Sequence, residues 1–240
     1  MRCLLALLLI LPSLAWSAIT FRSYTAKNAD TNGSVVMTKP AGTAVGDVLI
    51  FQMVSVPGAI GTISPPTGWT LIDAQTYGSG EGSADYYRVV DGSEGSTFTW
   101  TWTGGLGRGV MILAAFSGVD NTTPIHKHSL YYGTTSNTSM PTTSITPTVN
   151  NTMIVVMFGT NFAYVITAPS GMTNIYNSID GGNGYSGEMS YLLQGTAAAT
   201  SPTATSATAI SNNQTNLLIA LNPAGGGGGA TPFRHKVVSW

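Results

Sequence analysis

Charge is what this 240-residue chain has least of. Only 8% of its residues are Asp, Glu, Lys or Arg, against roughly 25% in an ordinary soluble domain. The formal net charge is −1, so nothing in the balance draws the chain to nucleic acid or to an anionic membrane. Cysteine is nearly absent too. Cys3 is the only one, which excludes a disulfide framework. Beyond the N-terminus there is no long apolar run and no helical period of more than two turns. Scarce charge does not mean disorder here. Disordered chains combine low hydrophobicity with high net charge, whereas 43% of these residues are hydrophobic. Thr, Ser, Gly and Asn supply the polar surface instead, which suits β-structure facing an extracellular medium.

The first residues have the plan of a secretory signal. Arg2 is a short positive region, Leu4 to Leu14 is an apolar core broken only by Pro12 and Ser13, and Ala15-Trp16-Ser17 places small residues at the −3 and −1 positions. Cleavage is expected before Ala18. The apolar run is too short to span a bilayer, which takes ~20 residues, so no membrane span is expected in the mature chain. Without Arg2 the balance is 8 basic against 10 acidic residues, a net of −2.

From Ile19 onward, short apolar or alternating bursts are punctuated by Pro, Gly, Asn and Asp every 8 to 12 residues or so, the spacing of an all-β chain. The expected strands begin with Ile19–Thr25, Ser34–Thr38, Val48–Val54, Trp69–Thr76, Ala84–Val90, Ser96–Thr103 and Val110–Phe116. They continue with His128–Tyr132, Met153–Gly159, Thr173–Tyr176, Glu188–Leu193 and Leu217–Leu221. Residues 197–208 add a strand-like alternation of threonines. In Thr97 to Trp102 the period of 2 puts Phe98, Trp100 and Trp102 on one face and threonines on the other. The aromatic face is expected to point into a core; a sugar platform is the rival use.

Two halves can be laid over each other. Val48 to Met53 corresponds to Met153 to Phe158, and Ile63 to Trp69 to Ile166 to Met172. Tyr86 to Val89 falls against Ser190 to Leu193, and Gly109 to Leu113 against Asn216 to Ala220. The corner Pro65-Pro66-Thr67-Gly68-Trp69 thus has a copy at Pro169-Ser170-Gly171-Met172. Met172 keeps bulk and apolarity but not the flat ring, which is what a core asks of the position. Gly68 is therefore expected to aim Trp69 inward. The expected fold is an antiparallel β-sandwich, jelly-roll-like, built from two similar halves that jointly make one core. Residues 1–17 are the signal peptide and 18–223 the sandwich domain. Residues 224–240 are a tail on the five glycines Gly225–Gly229.

Chemistry is hard to find. The ten carboxylates sit mostly in turn-like stretches, and no two are placed by sequence as a glycosidase pair, Asp85 with Glu188 included. Gly184-Tyr185-Ser186-Gly187 misses the spacing of a nucleophile elbow. His126 and His128 sit two apart with no third ligand nearby. The Asp/Asn/Gly stretches Asp30–Asn32 and Asp180–Asn183 are weak calcium loops. No catalytic residue, metal site or cofactor is therefore expected. If the surface binds carbohydrate, the rings available for stacking are Tyr77, Tyr131, Tyr132 and Tyr185. Trp69, Tyr87, Phe98, Trp100 and Trp102 are assigned to the structural core.

Four motifs in order carry a resemblance: Gly46-Asp47-Val48-Leu49, Pro65-Pro66-Thr67-Gly68-Trp69-Thr70, Tyr86-Tyr87-Arg88-Val89 and Ser117-Gly118-Val119-Asp120. The region from Ile19 to Pro223 resembles the β-sandwich modules of phage tail or virion-associated proteins and of secreted bacterial surface proteins. The resemblance implies a non-enzymatic structural or recognition module and brings no catalytic residues. The signal sequence departs from most phage tail proteins and favours a secreted or surface location. The implied partners are other copies of the chain or a neighbouring surface or virion protein. A glycan is the partner under the adhesin alternative.

Overall fold

The computed structural model describes residues 18–29, 33–56, 63–76, 82–103, 108–134, 137–160, 162–180, 184–210 and 213–225. Residues 1–17, expected to be a signal sequence, and the tail from residue 226 lie outside these residues. The described chain is all-β. Its first half contains β1 (Thr20–Ala29), β2 (Ser34–Thr38), β3 (Val48–Val56), β4 (Ile63–Ser64), β5 (Thr70–Thr76), β6 (Gly82–Val89), β7 (Thr97–Trp102) and β8 (Arg108–Ser117). The second half contains β9 (Ile125–Gly133), β10 (Asn137–Pro141), β11 (Thr152–Thr160), β12 (Ile166–Thr167), β13 (Thr173–Asp180), β14 (Tyr185–Gln194), β15 (Thr203–Ile210) and β16 (Gln214–Leu221). No helix among the described residues is long and apolar enough to cross a membrane.

The halves are topological copies. The first forms a five-stranded sheet in the order β1-β8-β3-β6-β5 and a three-stranded sheet β2-β7-β4. The second forms β9-β16-β11-β14-β13 and β10-β15-β12. Every strand has its counterpart eight places later. Each half divides its strands five and three because β5 pairs with β6, and β13 with β14, at the edge of the large sheet. Pairing within the sheets is antiparallel throughout.

Three cores follow from three sheet-to-sheet contacts. β3 alternates, with Val48 and Ile50 on one face and Leu49, Phe51 and Met53 on the other. The first face meets Val155, Met157, Leu217 and Ile219 of the second half. The other meets Val35, Met37, Phe98 and Trp100 of the outer sheet. In the second half Ile154, Val156 and Phe158 face Met140, Ile166 and Ala204. The molecule is thus four layers deep, with the two large sheets back to back in the middle. A strand buried on both faces needs apolar residues without alternation, and Val48 to Phe51 and Met153 to Phe158 read that way. This corrects the expectation of a single joint core: each half buries its own pair of sheets and shares a third core with its partner.

The large sheets lie with β3 and β11 running the same way. Phe21, which pairs with Phe116 near one end, meets Tyr191 at a ring-centroid distance of 5.5 Å. Toward the other end the sheets close in on each other at Gly159, where an added Cβ would lie 2.5 Å from a Val54 methyl. The repeat alignment needs one correction. Val48 pairs with Phe116 and Met153 with Leu221, so Leu113 corresponds to Leu218 and not to Ala220. The sequence overlay is two residues out there, a shift that leaves the in-and-out pattern of a strand unchanged and is therefore invisible to it.

Candidate functional site

The corner at Pro65–Trp69 is a turn closed by Trp69 N–H donating to the Pro66 carbonyl at 3.4 Å. Gly68 sits at φ 86°, a left-handed conformation that a side chain would resist, and the Arg88 guanidinium occupies the space a Cβ would need. Trp69 turns inward. It is 8% exposed and packs edge-on to Phe98 and Trp100 at 5.2 and 4.8 Å. Phe51 stacks on Trp100 at 3.8 Å. Trp100, Trp102 and Phe98 are buried, and Tyr87 is half-buried against the central core. These rings are interior and offer no platform to a ligand.

Arg88 ties the corner to the next loop. It donates to the Thr67 carbonyl, to Glu94 Oε1 at 3.0 Å and to Ser93 Oγ at 3.1 Å, and lies 3.6 Å from Asp91. Burial alone would push the Glu94 carboxyl up. The backbone N–H groups of Asp91 and Gly92, together with Arg88, outweigh it and hold the group below its ordinary value. Asp47 is likewise a structural partner, 2.6 Å from Arg22 and accepting from Ala44 N–H at 2.8 Å.

Two other carboxyls are buried with no cation beside them among the described residues. Asp85 on β6 faces the second half, and desolvation raises it well above the usual carboxylate range; Ser83 and Gln52 beside it offset part of this. Its cross-strand neighbour is Asp73, whose carboxylate lies 3.6 Å from His128. Glu188 on β14 faces the outer layer. Its Oε1 accepts from Asn174 Nδ2 at 2.7 Å and from Ser190 Oγ, while Oε2 has no partner among the described residues. Burial pushes its pKa to about 7. Asp85 and Glu188 belong to different sheets and opposite faces, so they do not form a carboxylate pair.

The remaining candidates are dispersed. Tyr77 lies outside the described residues, as do Asp30–Asn32 and Gly181–Asn183. Tyr131 and Tyr132 are half-buried on β9, with the Tyr132 hydroxyl donating to Asn213 Oδ1 at 2.6 Å. Tyr185 is 4% exposed within the central core and is not a surface ring. Ser186 is a strand residue whose Oγ accepts from Tyr164 N–H at 2.8 Å. His126 accepts from Thr148 N–H at 3.0 Å, and His128 turns to Asp73, so the two imidazoles serve separate contacts. Among the described residues no group of three or more His, Cys, Asp or Glu is placed to hold a metal. One feature escaped the sequence: Phe162 and Tyr164, two apart in the loop before β12, stack at 5.7 Å. No periodic pattern marks such a loop pair.

The surface also offers a groove at the second corner. It is lined by Pro169, Met172, Leu192, Pro202 and Thr203, among others, and carries no charged side chain. No known protein family, curated protein or solved structure matches this chain.

Proposed function

We propose that the chain is a non-enzymatic structural module of an extracellular appendage, fibre or virion, working by association with other copies or with a neighbouring surface protein. The observation that carries this reading is the nature of the open sheet edges. β5 and β13 each end a five-stranded sheet, and they present Leu71 at 52% and Ile179 at 45% exposure. Natural edges are usually blocked by charge, proline, a bulge or a covering element; β5 and β13 each have one bulge, at Ile72 and Ile175, with regular pairing from Asp73 and from Tyr176 onward. Over β5 and β13 together the chain offers only Asp73 and Asp180 as charged residues. An edge of this kind suits pairing with another strand. The four-layer stack supports the same reading, because it makes a thick, rigid block, and the acidic groups within it serve structural contacts or are buried.

Light scattering across a concentration series tests the proposal. Assemblies larger than one chain that grow with concentration are the expected result. A strict monomer that binds an immobilised glycan overturns it in favour of the adhesin alternative.

A further inference from the structure

The second half is short of aromatic bulk where the first is richest. Ile63 pairs with Trp102 as Ile166 pairs with Ser206, so Phe98, Trp100 and Trp102 correspond to Pro202, Ala204 and Ser206. Val48 pairs with Val89 as Met153 pairs with Leu193, so Arg88 corresponds to Leu192. The corners correspond as well: Met172 N–H donates to the Pro169 carbonyl at 3.2 Å, as Trp69 does to Pro66. In the first half Trp69, Phe98 and Arg88 fill the space beneath the corner. In the second half their counterparts are Met172, Pro202 and Leu192, and these three line the open groove. Leu192 is left 41% exposed. The groove has a volume of about 480 Å³, within the size range of natural ligand pockets, and its lining sets the hydroxyls of Ser170, Thr200, Ser201 and Thr203 beside apolar side chains, which suits an aromatic occupant with polar neighbours.

The chain itself supplies one. β16 ends at Leu221, which pairs with Met153, which in turn pairs with Leu193. The chain then runs on to Gly225, with Pro223 bridged to Val119 and Ala224 N–H donating to the Gly118 carbonyl at 2.9 Å, so it leaves the sandwich beside the first half, at the same end of the sheets as Leu192. Beyond Ala224 come the five glycines and then Pro232, Phe233, Val237, Val238 and Trp240. From Gly225 to Phe233 the sequence is long enough to reach at most ~26 Å.

We propose that this groove is the docking site of the chain's own segment 230–240, with Phe233 and Trp240 supplying the aromatic bulk that Trp69 and Phe98 supply in the first half. A tether this short holds the segment near the groove at an effective concentration on the order of millimolar, so the chain's own segment prevails over a neighbour's.

Fluorine NMR of the full chain labelled with 5-fluorotryptophan tests this. The Trp240 resonance is assigned with Trp240→Phe and compared with that of a labelled peptide of residues 230–240. The expected result is a Trp240 signal shifted away from the peptide position at every protein concentration, returning to it in Leu192→Asp. Unchanged Trp69, Trp100 and Trp102 signals in that variant report an intact fold, which an exposed position permits. A Trp240 signal already at the peptide position overturns the proposal. So does a shifted signal that persists in Leu192→Asp, which places the segment elsewhere. A signal that reverts on about a hundredfold dilution assigns the groove to a neighbour's segment instead and also overturns it.

Discussion

Glu188 should make this protein less stable as the medium turns alkaline. The carboxyl is enclosed between the second half's two sheets, with two donors on Oε1 and, among the described residues, none on Oε2. Burial raises its pKa from 4.5 to about 7. A carboxyl whose pKa is raised on folding favours the folded state fully below the unfolded value, and that advantage is lost as pH climbs to the folded value. The window runs from about pH 4.5 to 7. At 1.36 kcal/mol per unit the loss is about 3 kcal/mol. Asp85 is raised by burial as well and adds to the slope in the same sense. His126, lowered chiefly by burial, acts in the opposite sense, near neutrality. Urea unfolding of the wild type at pH 5 and pH 8 should show lower stability at pH 8. Glu188→Gln should remove about 2.5 kcal/mol of that difference, because part of the loss already lies below pH 5, and the double variant with Asp85→Asn should remove more. A wild type equally stable at both pH values, or a Glu188→Gln variant keeping the whole slope, refutes the reasoning.

Other substitutions probe the packing. Trp69→Ala should cost about 3–5 kcal/mol in chemical denaturation, whereas Trp69→Phe, which keeps an aromatic ring, should cost less, because the indole N–H has no partner among the described residues. Gly159→Ala should destabilise by about 1–3 kcal/mol through its clash with Val54. Val54→Ala in the same chain should recover part of that loss, a coupling that a double-mutant cycle measures directly. Arg88→Met should loosen the Thr67 carbonyl and the 91–94 loop and leave Glu94 without its cation; hydrogen exchange at Asp91 and Gly92 should rise.

The legible part of the fold was its middle. Val48 to Phe51 and Met153 to Phe158 are unbroken apolar runs, and such runs announce strands covered on both faces. Phe98, Trp100 and Trp102 announce their strand by strict alternation. The outer sheets were harder to read. β4 and β12 are two residues long, too short for any period. β10, Asn137–Pro141, is polar and ends in proline, which reads as a loop. The repeat was visible because the corner and the central strands keep their chemistry, yet its depth was not. Sequence periodicity tells which face of a strand is apolar but not which of several sheets covers it, so three cores looked like one. The pair Asp85 and Asp73 was equally hidden, because cross-strand register brings together residues twelve apart that no local pattern links.

β5 and β13 are proposed as the assembly edges. The most direct measurement is the light-scattering mass of the wild type beside a Leu71→Lys, Ile179→Lys variant across the same concentration series. Both positions are exposed, so the fold should tolerate the lysines, while two buried charges at a strand junction should not be tolerated. Concentration-dependent assemblies are expected for the wild type and a single-chain mass for the variant. Equal masses for the two proteins at every concentration would contradict the proposal.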